Sequence, residues 1–257
     1  PDLAICYRTV RDTPEQLIES LMDIENAYLA LETEEGRKDF FMAARYRYNE
    51  KNLDPIENTT KFFFLNRTCF NGLYRVNKKG LFNVPFGKYA NPTICDPETI
   101  RKDSELLQRV EILNSDFEAT FEHARGNTLF YFDPPYRPLS DTSSFNDYAK
   151  EAFNDDAQVR LKEYCDQINE AGFHFMLSNS DCKGKNENDN FFDVLYGAYQ
   201  IERVWASRSI NSNPEKRGKL TEILVHNYLD TKLNFQTNLL QFVAKENARI
   251  VAMAVNQ

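Results

Sequence analysis

The second half of this 257-residue chain alternates short apolar runs with amphipathic segments, and this alternation limits the possible fold more than any other feature. From Val110 the apolar runs are VEIL, TLFYF, FHFMLSNS, YQIERVWAS and KLTEILVHNYL. One intervening segment, DDAQVRLKEYCDQINEAG, has helical periodicity and ends in a glycine suited to a helix C-cap. This order predicts an α/β fold with a mostly parallel sheet. In such sheets ligands bind beyond the carboxyl ends of strands, where Asp133 and Asn179 lie.

The part of the chain before Val110 is predicted to be mainly helical. The segments are DTPEQLIESLMDIENAYLAL, KDFFMAARYRYNE, PIENTTKFFFLNRTCF and DPETIRKDSELLQRV. In the first, Thr13 fits an N-cap and Gln16 completes a capping box, and in the last Asp96 fits an N-cap. The piece YRVNKKGLFNVPFG differs, because two β-prone runs flank Lys78-Lys79-Gly80, which indicates a hairpin.

The charge distribution points to a polyanion, although the formal net charge of −8 argues against nucleic acid. Residues 58–95 contain no Asp or Glu. The basic residues there are Lys61, Arg67, Arg75, Lys78, Lys79 and Lys88, and the aromatic ones are Phe62, Phe63, Phe64, Phe70, Tyr74, Phe82, Phe86 and Tyr89. We predict that this segment faces a polyanion. The alternative is a basic segment that packs in the core and keeps its lysines solvated.

The cysteines and histidines do not indicate a metal site. The five cysteines are scattered without a CxxC pair, which favours reduced thiols in a cytoplasmic protein. The three histidines are far apart, and structural roles are expected for them. No apolar run approaches the ~20 residues of a membrane-spanning helix, and no signal peptide is visible.

The stretch LFYFDPPYRPLS, residues 129–140, carries the chemistry. After an apolar strand, Pro134 and Pro135 fix two successive φ angles and remove both backbone donors. The turn therefore offers acceptors, the Asp133 carboxylate and the Pro134 carbonyl, beside the flat ring of Tyr136. A planar substrate with an amino group fits this layout, whereas the alternative is merely a proline-rich turn that ends a strand.

An adenine amino group is a poor nucleophile because its lone pair is delocalised into the ring. Acceptors on both N–H bonds favour a pyramidal nitrogen, which a sulfonium methyl group placed in line can then alkylate directly. Such a reaction depends on positioning and electrostatics and needs no general base.

With these features the chain resembles the Dam-type (D12 class) DNA adenine-N6 methyltransferases of the GATC-recognising kind. The motifs that carry the resemblance are FNGLYRVNKKGLFNVPFGKY, SDF, YFDPPYRPLS, SNS and RSINSNPEKRGKLTEILVHNY. The resemblance implies a Rossmann-like class I fold with an inserted helical and β-hairpin target-recognition domain. We accordingly assign residues 1–30 to the start of the catalytic domain, 31–108 to target recognition, 109–230 to catalysis and 231–257 to an unassigned helical tail.

The resemblance also implies roles for individual residues. Asp133, Pro134, Pro135 and Tyr136 would hold a flipped-out target adenine. Asp133 would also contact the methionine part of S-adenosylmethionine, and Asp116 and Phe117 its adenine. The expected activity is that of a site-specific adenine methyltransferase of restriction–modification systems, acting on double-stranded DNA.

Target recognition is expected from Phe70 to Tyr89. Phe70 would wedge into the duplex, Asn71 would lie near the orphaned base, and Leu73 and Arg75 would read base edges, with Arg75 assigned to a guanine. The further candidate DNA contacts are Arg67, Asn77, Lys78, Lys79, Pro85 and Lys88. In the segment RSINSNPEKRGK, the candidates for phosphates are Arg208, Lys216, Arg217 and Lys219, unless this is only a solvated basic loop.

One part of the family pattern is absent from this sequence. A glycine-rich cofactor loop is not found, and Pro1-Asp2-Leu3 aligns just after the acid that ends the family's second strand. We therefore expect the first two strands to be missing, so that a partner chain supplies them or activity is lost. The alternatives to an active adenine methyltransferase are a catalytically silent DNA-binding remnant and a methylase acting on cytosine N4 or RNA.

Overall fold

The structure is a computed structural model that describes residues 2–139, 153–207, 219–228 and 250–253. These residues form two compact units. The first comprises residues 2–115 with the strand at 250–253, and the second comprises the described residues from 116 to 228. No helix in these ranges is long and apolar enough to cross a membrane.

The first unit is a helical body built on apolar stripes at helical spacing. Its helices are α1 (Asp2–Asp12), α2 (Pro14–Leu29), α3 (Glu34–Asn49), α4 (Pro55–Thr68) and α5 (Pro97–Leu107). Leu17, Leu21 and Tyr28 of α2 are fully buried beside Phe64 of α4. The predicted helices in this half are confirmed. The sequence was sufficient to predict them because the periodic spacing of apolar residues specifies which helix face is buried.

The helix caps follow the sequence in one place and depart from it in another. The Asp96 carboxylate accepts a hydrogen bond from the Thr99 N–H at 3.1 Å, as predicted for the start of α5. Thr13 precedes α2 but makes no side-chain cap, so the predicted capping box is wrong. Its hydroxyl instead donates to the Thr9 carbonyl at 3.2 Å, which also accepts the Thr13 N–H at 3.0 Å, because α1 ends immediately before Thr13 and its last carbonyls face that residue.

A hairpin follows α4, as predicted. Val76 and Phe82 form an antiparallel bridge, and the Gly80 N–H donates to the Asn77 carbonyl at 2.8 Å. At the hairpin base Gly87 packs against the chain after α4, where an added Cβ would lie 2.5 Å from the Cys69 carbonyl oxygen. A larger residue at 87 would therefore displace the hairpin from α4.

Two parts of the chain differ from our expectation, namely the first 30 residues and the strand at 250–253. Helices α1 and α2 pack against α4 and α5 inside the first unit, whereas we assigned residues 1–30 to the catalytic domain. Strand β1 (Val110–Leu113) pairs in parallel with β6 (Ile250–Met253). For 250–253 the predicted helix is wrong, because the run IVAM is rich in strand-favouring residues. The rest of the tail lies outside the described residues.

The second unit is α/β, as predicted, but its sheet is mixed. The strands are β2 (Leu129–Phe132), β3 (His174–Ser180), β4 (Gln200–Ser207) and β5 (Lys219–His226), in the spatial order β2-β3-β5-β4. Within this sheet only the β2–β3 pair is parallel, so the expectation of a mostly parallel sheet is wrong for the described strands of the second unit. The connection between β4 and β5 spans only residues 208–218, which is shorter than the dozen or more residues that a parallel crossover needs, and this favours antiparallel pairing.

The helices of the second unit are short except for one. They are a 3-10 helix at Phe117–His123, then α6 (Asp155–Glu170), α7 (Cys182–Lys185) and α8 (Phe191–Leu195). Helix α6 packs on β3, which is buried along all but its first residue. Gly172, with a φ of 80°, ends α6 as the sequence predicts.

Asp181, directly after β3, ties three elements together. Its buried carboxylate accepts hydrogen bonds from Gly184 N–H at 3.0 Å, Thr221 Oγ1 at 2.7 Å and Arg203 Nε at 3.1 Å. Burial alone would raise the pKa of Asp181, but the hydrogen bonds from Thr221 and Gly184 and the charge of Arg203 together lower it. The ionised form is therefore the one that stabilises the fold.

We expect Asp181→Asn to lower the free energy of unfolding at pH 7 by about 1–3 kcal/mol. Because the folded pKa lies below the unfolded one, this contribution is present above the unfolded value of about 4 and is lost as pH falls through the folded pKa. Urea unfolding at pH 7 and pH 3 measures the loss of unfolding free energy and its dependence on pH, with the exposed Asp156→Asn as control. An undiminished difference at pH 3 would contradict the assignment.

Candidate functional site

The DPPY turn begins where β2 ends, at the edge where the parallel strand β3 also ends. Asp133 is exposed, and its Oδ1 atom accepts a hydrogen bond from Ser178 Oγ at 3.0 Å. Ser178 is buried on β3 and comes from the SNS motif. An exposed carboxylate with a fixed orientation is thus present at the strand end, where ligands bind in α/β folds.

Tyr136 provides the aromatic ring of the turn. Its hydroxyl donates to Glu222 Oε2 at 3.4 Å. The pKa of Tyr136 is raised to about 12, chiefly by burial; a hydrogen bond with Ser178 lowers it in part, and the negative charges of Glu222 and Asp133 add to the rise. The ring is therefore neutral at physiological pH and suits stacking rather than proton abstraction.

Arg137 anchors the end of the turn and was missed by sequence reasoning. Its guanidinium donates to Asp155 at 2.9 Å and to Asp189 at 2.7 Å, and lies 4.5 Å from the centre of the Phe191 ring. The sequence contained no signal for these contacts, because they join three separate segments of the chain. They fix the backbone just after Tyr136.

Asp116 and Phe117 start the 3-10 helix and contact α6. Asp116 Oδ2 accepts from Arg160 at 2.7 Å, and the Arg160 guanidinium also lies 4.5 Å from the centre of the Phe117 ring. Phe117 is only 7% exposed and packs on Tyr164. Helix α6 also contacts the DPPY turn, through Gln158, which donates to the Pro135 carbonyl at 3.1 Å. The structure thus connects both predicted cofactor segments to one helix.

Most aromatic residues of the acid-free segment belong to the core of the first unit. Phe64 and Phe82 are buried, and Phe62, Phe63, Tyr74 and Phe86 pack against the same cluster. For these residues the alternative of core packing is correct. Only Phe70 and Tyr89 are substantially exposed, at 50% and 40%.

Phe70, Asn71 and Arg75 lie at the surface of the hairpin region. Asn71 has a φ of 55°, in the left-handed region, and its N–H donates to the Tyr89 hydroxyl at 3.2 Å. Arg75 Nε donates to Asn83 Oδ1 at 2.8 Å, and its Nη2 donates to the Asn83 carbonyl at 3.3 Å. The Arg75 guanidinium is therefore exposed and oriented before any ligand binds.

The other predicted contacts divide by exposure. Arg67, Lys78, Lys79 and Pro85 are exposed, and Lys88 is exposed in an ion pair with Glu34 at 2.7 Å. Leu73 is partly buried against the core, and the Asn77 side chain accepts from the N–H groups of Lys79 and Leu81. Asn77 thus shapes the turn. Arg208, Lys216 and Arg217 lie outside the described residues, and Lys219 begins β5 without a described side chain.

Comparison with known proteins identifies one family. A family profile described as "D12 class N6 adenine-specific DNA methyltransferase" matches residues 1–210. The chain is 43% identical over 230 residues to the type II methyltransferase M.MjaIII of Methanocaldococcus jannaschii, covering 88% of this chain and 77% of that one. It is 38% identical over 232 residues to the type II methyltransferase M1.LlaDCHI of Lactococcus lactis subsp. cremoris, with 88% and 76% covered. It is 32% identical over 225 residues to a DNA adenine methylase of Vibrio cholerae, with 87% and 76% covered.

Proposed function

Because this chain belongs to the D12 class of N6 adenine-specific DNA methyltransferases, we propose that it methylates adenine N6 within one short duplex site, using S-adenosylmethionine and flipping the base out. The observation that carries the proposal is the exposed Asp133 carboxylate, held by Ser178 at the strand end. We infer that the second unit performs the methyl transfer and that the hairpin region of the first unit reads the DNA.

The turn prepares the amino group for attack. The Asp133 carboxylate accepts one N–H of adenine N6, and the Pro134 carbonyl accepts the other. Both bonds draw the N–H groups to one side and leave the lone pair directed away from the turn. The neutral ring of Tyr136 stacks on the base. Preorganised acceptors of this kind act where charge develops in the transition state.

The described residues fit the cofactor in part. S-adenosylmethionine supplies an electrophilic methyl group when bound. The exposed Asp133 carboxylate suits the ammonium group of its methionine part, and the exposed Asp116 suits its adenosine part. Phe117 is nearly buried, so little of its ring is accessible to the cofactor.

DNA recognition is assigned to the exposed residues of the hairpin region. Phe70 enters the base stack beside the displaced adenine, with Asn71 next to the orphaned base. Arg75, oriented by Asn83, donates to a guanine edge. The exposed Arg67, Lys78 and Lys79 suit phosphates. We propose GATC as the site because FNGLYRVNKKGLFNVPFGKY resembles the hairpins of GATC readers, and we retain Arg208, Arg217 and Lys219 as phosphate ligands.

Methyl transfer to synthetic duplexes tests this proposal. The full natural protein is incubated with labelled S-adenosylmethionine and either a GATC duplex or one of the same composition with the site scrambled. We expect label in the GATC duplex alone. Equal labelling of both duplexes would refute the site, and label in neither would refute the activity.

A further inference from the structure

The DPPY turn is fixed from outside rather than by its own backbone. Pro134 and Pro135 have no N–H to donate, so neighbouring side chains must hold the turn. Gln158 Nε2 donates to the Pro135 carbonyl at 3.1 Å. On the other side of the turn, the Arg137 N–H donates to Asn179 Oδ1 at 3.0 Å. Two amide side chains therefore bind the turn on either side of Tyr136, one at Pro135 and one at Arg137.

These two amides also bind each other. Asn179 Nδ2 donates to Gln158 Oε1 at 3.2 Å, and the two side chains belong to residues that are 0% and 1% exposed. Buried amides depend on such bonds, because an unmatched buried donor or acceptor is costly. The turn, Gln158 and Asn179 thus form a closed circuit of hydrogen bonds.

The backbone groups at both ends decide how the amides are oriented. The Pro135 carbonyl only accepts, so Gln158 must present its NH₂ group to it. The N–H groups of Arg137 and Ser180 only donate, so Asn179 must present its oxygen, which accepts from Ser180 at 2.9 Å. The Gln158 side-chain oxygen then remains to accept a hydrogen bond from the Asn179 NH₂ group. Neither amide can flip without breaking these bonds.

This set of hydrogen bonds determines which oxygen atoms of the turn can accept a hydrogen bond from a ligand. Gln158 occupies the Pro135 carbonyl, whereas the Pro134 carbonyl accepts no hydrogen bond from the described residues. A turn that shifted would move the Pro134 carbonyl and the Asp133 carboxylate together. Methyl transfer depends on in-line alignment, in which a displacement of about 1 Å costs about 100-fold in rate.

We propose that Gln158 is a positioning residue for methyl transfer, acting through the Pro135 carbonyl, with Asn179 fixing its amide. It does not touch the adenine. The inference rests on the proposed function of the turn and adds a residue of α6 to it.

Gln158→Met tests the inference in the full natural protein, because methionine has similar length and makes no such hydrogen bond. We expect the single-turnover methylation rate to fall by about 10- to 100-fold. The dissociation constants for duplex DNA and for S-adenosylmethionine should change by less than about threefold, since neither ligand touches Gln158. The control is Ile168→Val, a buried residue later in α6, which lowers stability without contacting the turn.

A second variant carries the test if Gln158→Met does not fold. Asn179→Asp keeps the oxygen that accepts from Arg137 and Ser180 but loses the donor to Gln158, and we expect about a tenfold lower rate. A wild-type rate in a folded variant, or an equal loss in Ile168→Val, overturns the inference alone. A wild-type protein that methylates no adenine overturns the proposed function and this inference with it.

Discussion

Replacing Asp133 by alanine should lower the single-turnover rate of adenine methylation by about 100- to 1,000-fold. The variant removes the exposed acceptor at the end of β2, so the adenine nitrogen loses one of the two bonds that direct its lone pair. Folding should be little affected. Ser178, which donates to Asp133, keeps the Phe132 carbonyl as an acceptor at 3.3 Å. Rapid-quench assays with labelled S-adenosylmethionine measure the rate.

The matched control for this change is Asp156→Ala, which removes an exposed carboxylate in the first turn of α6. Its rate should equal that of the unchanged protein. Melting temperatures of both variants should stay within a few degrees of the unchanged protein. An Asp133→Ala variant that methylates adenine as fast as the control would contradict the role given to the DPPY turn.

Arg75→Ala should lower kcat/KM at the preferred site by about 10- to 100-fold, which corresponds to the loss of one bidentate base contact. Arg75→Ala should lower kcat/KM much less on a duplex in which the G·C pair contacted by Arg75 is replaced. The ratio of kcat/KM between the two duplexes should therefore become smaller. The physical reason is that Asn83 holds the Arg75 guanidinium in place before DNA binds, so little entropy is lost on contact. Methylation of a panel of duplexes, each with one base pair changed, measures this effect.

Lys79→Ala is the control for Arg75, because its exposed ammonium group at the hairpin tip suits a phosphate. It should weaken binding at all sites equally and reduce the salt dependence of affinity by about one charge. If Arg75→Ala behaves in the same uniform way, Arg75 binds the backbone and does not read a base.

Local sequence patterns were sufficient for the elements around the site. Three predicted features are determined by residues close in sequence, and each is found as predicted. They are the helical stripe of Leu17 and Leu21, the helix cap at Asp96 and the strand end at Asp133. Asn179, which we placed directly after a strand, lies instead within β3, and the same strand brings Ser178 beside Asp133. Parallel neighbours place their carboxyl ends at one edge, so this proximity follows once the pairing is known.

Long-range packing was not readable from the sequence. The direction of β4 and β5 depends on which strand edges are free, and an apolar run alone does not specify it. The acid-free segment contained both core and surface aromatics, and sequence alone did not separate the buried Phe82 from the exposed Phe70. Gln158 lies on an ordinary amphipathic helix, and only the packing of α6 onto the turn reveals its contact with Pro135.

The most direct test of the central claim is the identity of the methylated nucleoside. DNA treated with the full natural protein and S-adenosylmethionine is digested to nucleosides and analysed by mass spectrometry. The arrangement of Asp133, Pro134 and Tyr136 predicts N6-methyladenine as the sole new product, and its absence from DNA treated with the Asp133→Ala variant. Methylation at cytosine N4, or N6-methyladenine formed equally well by the Asp133→Ala variant, would contradict the account.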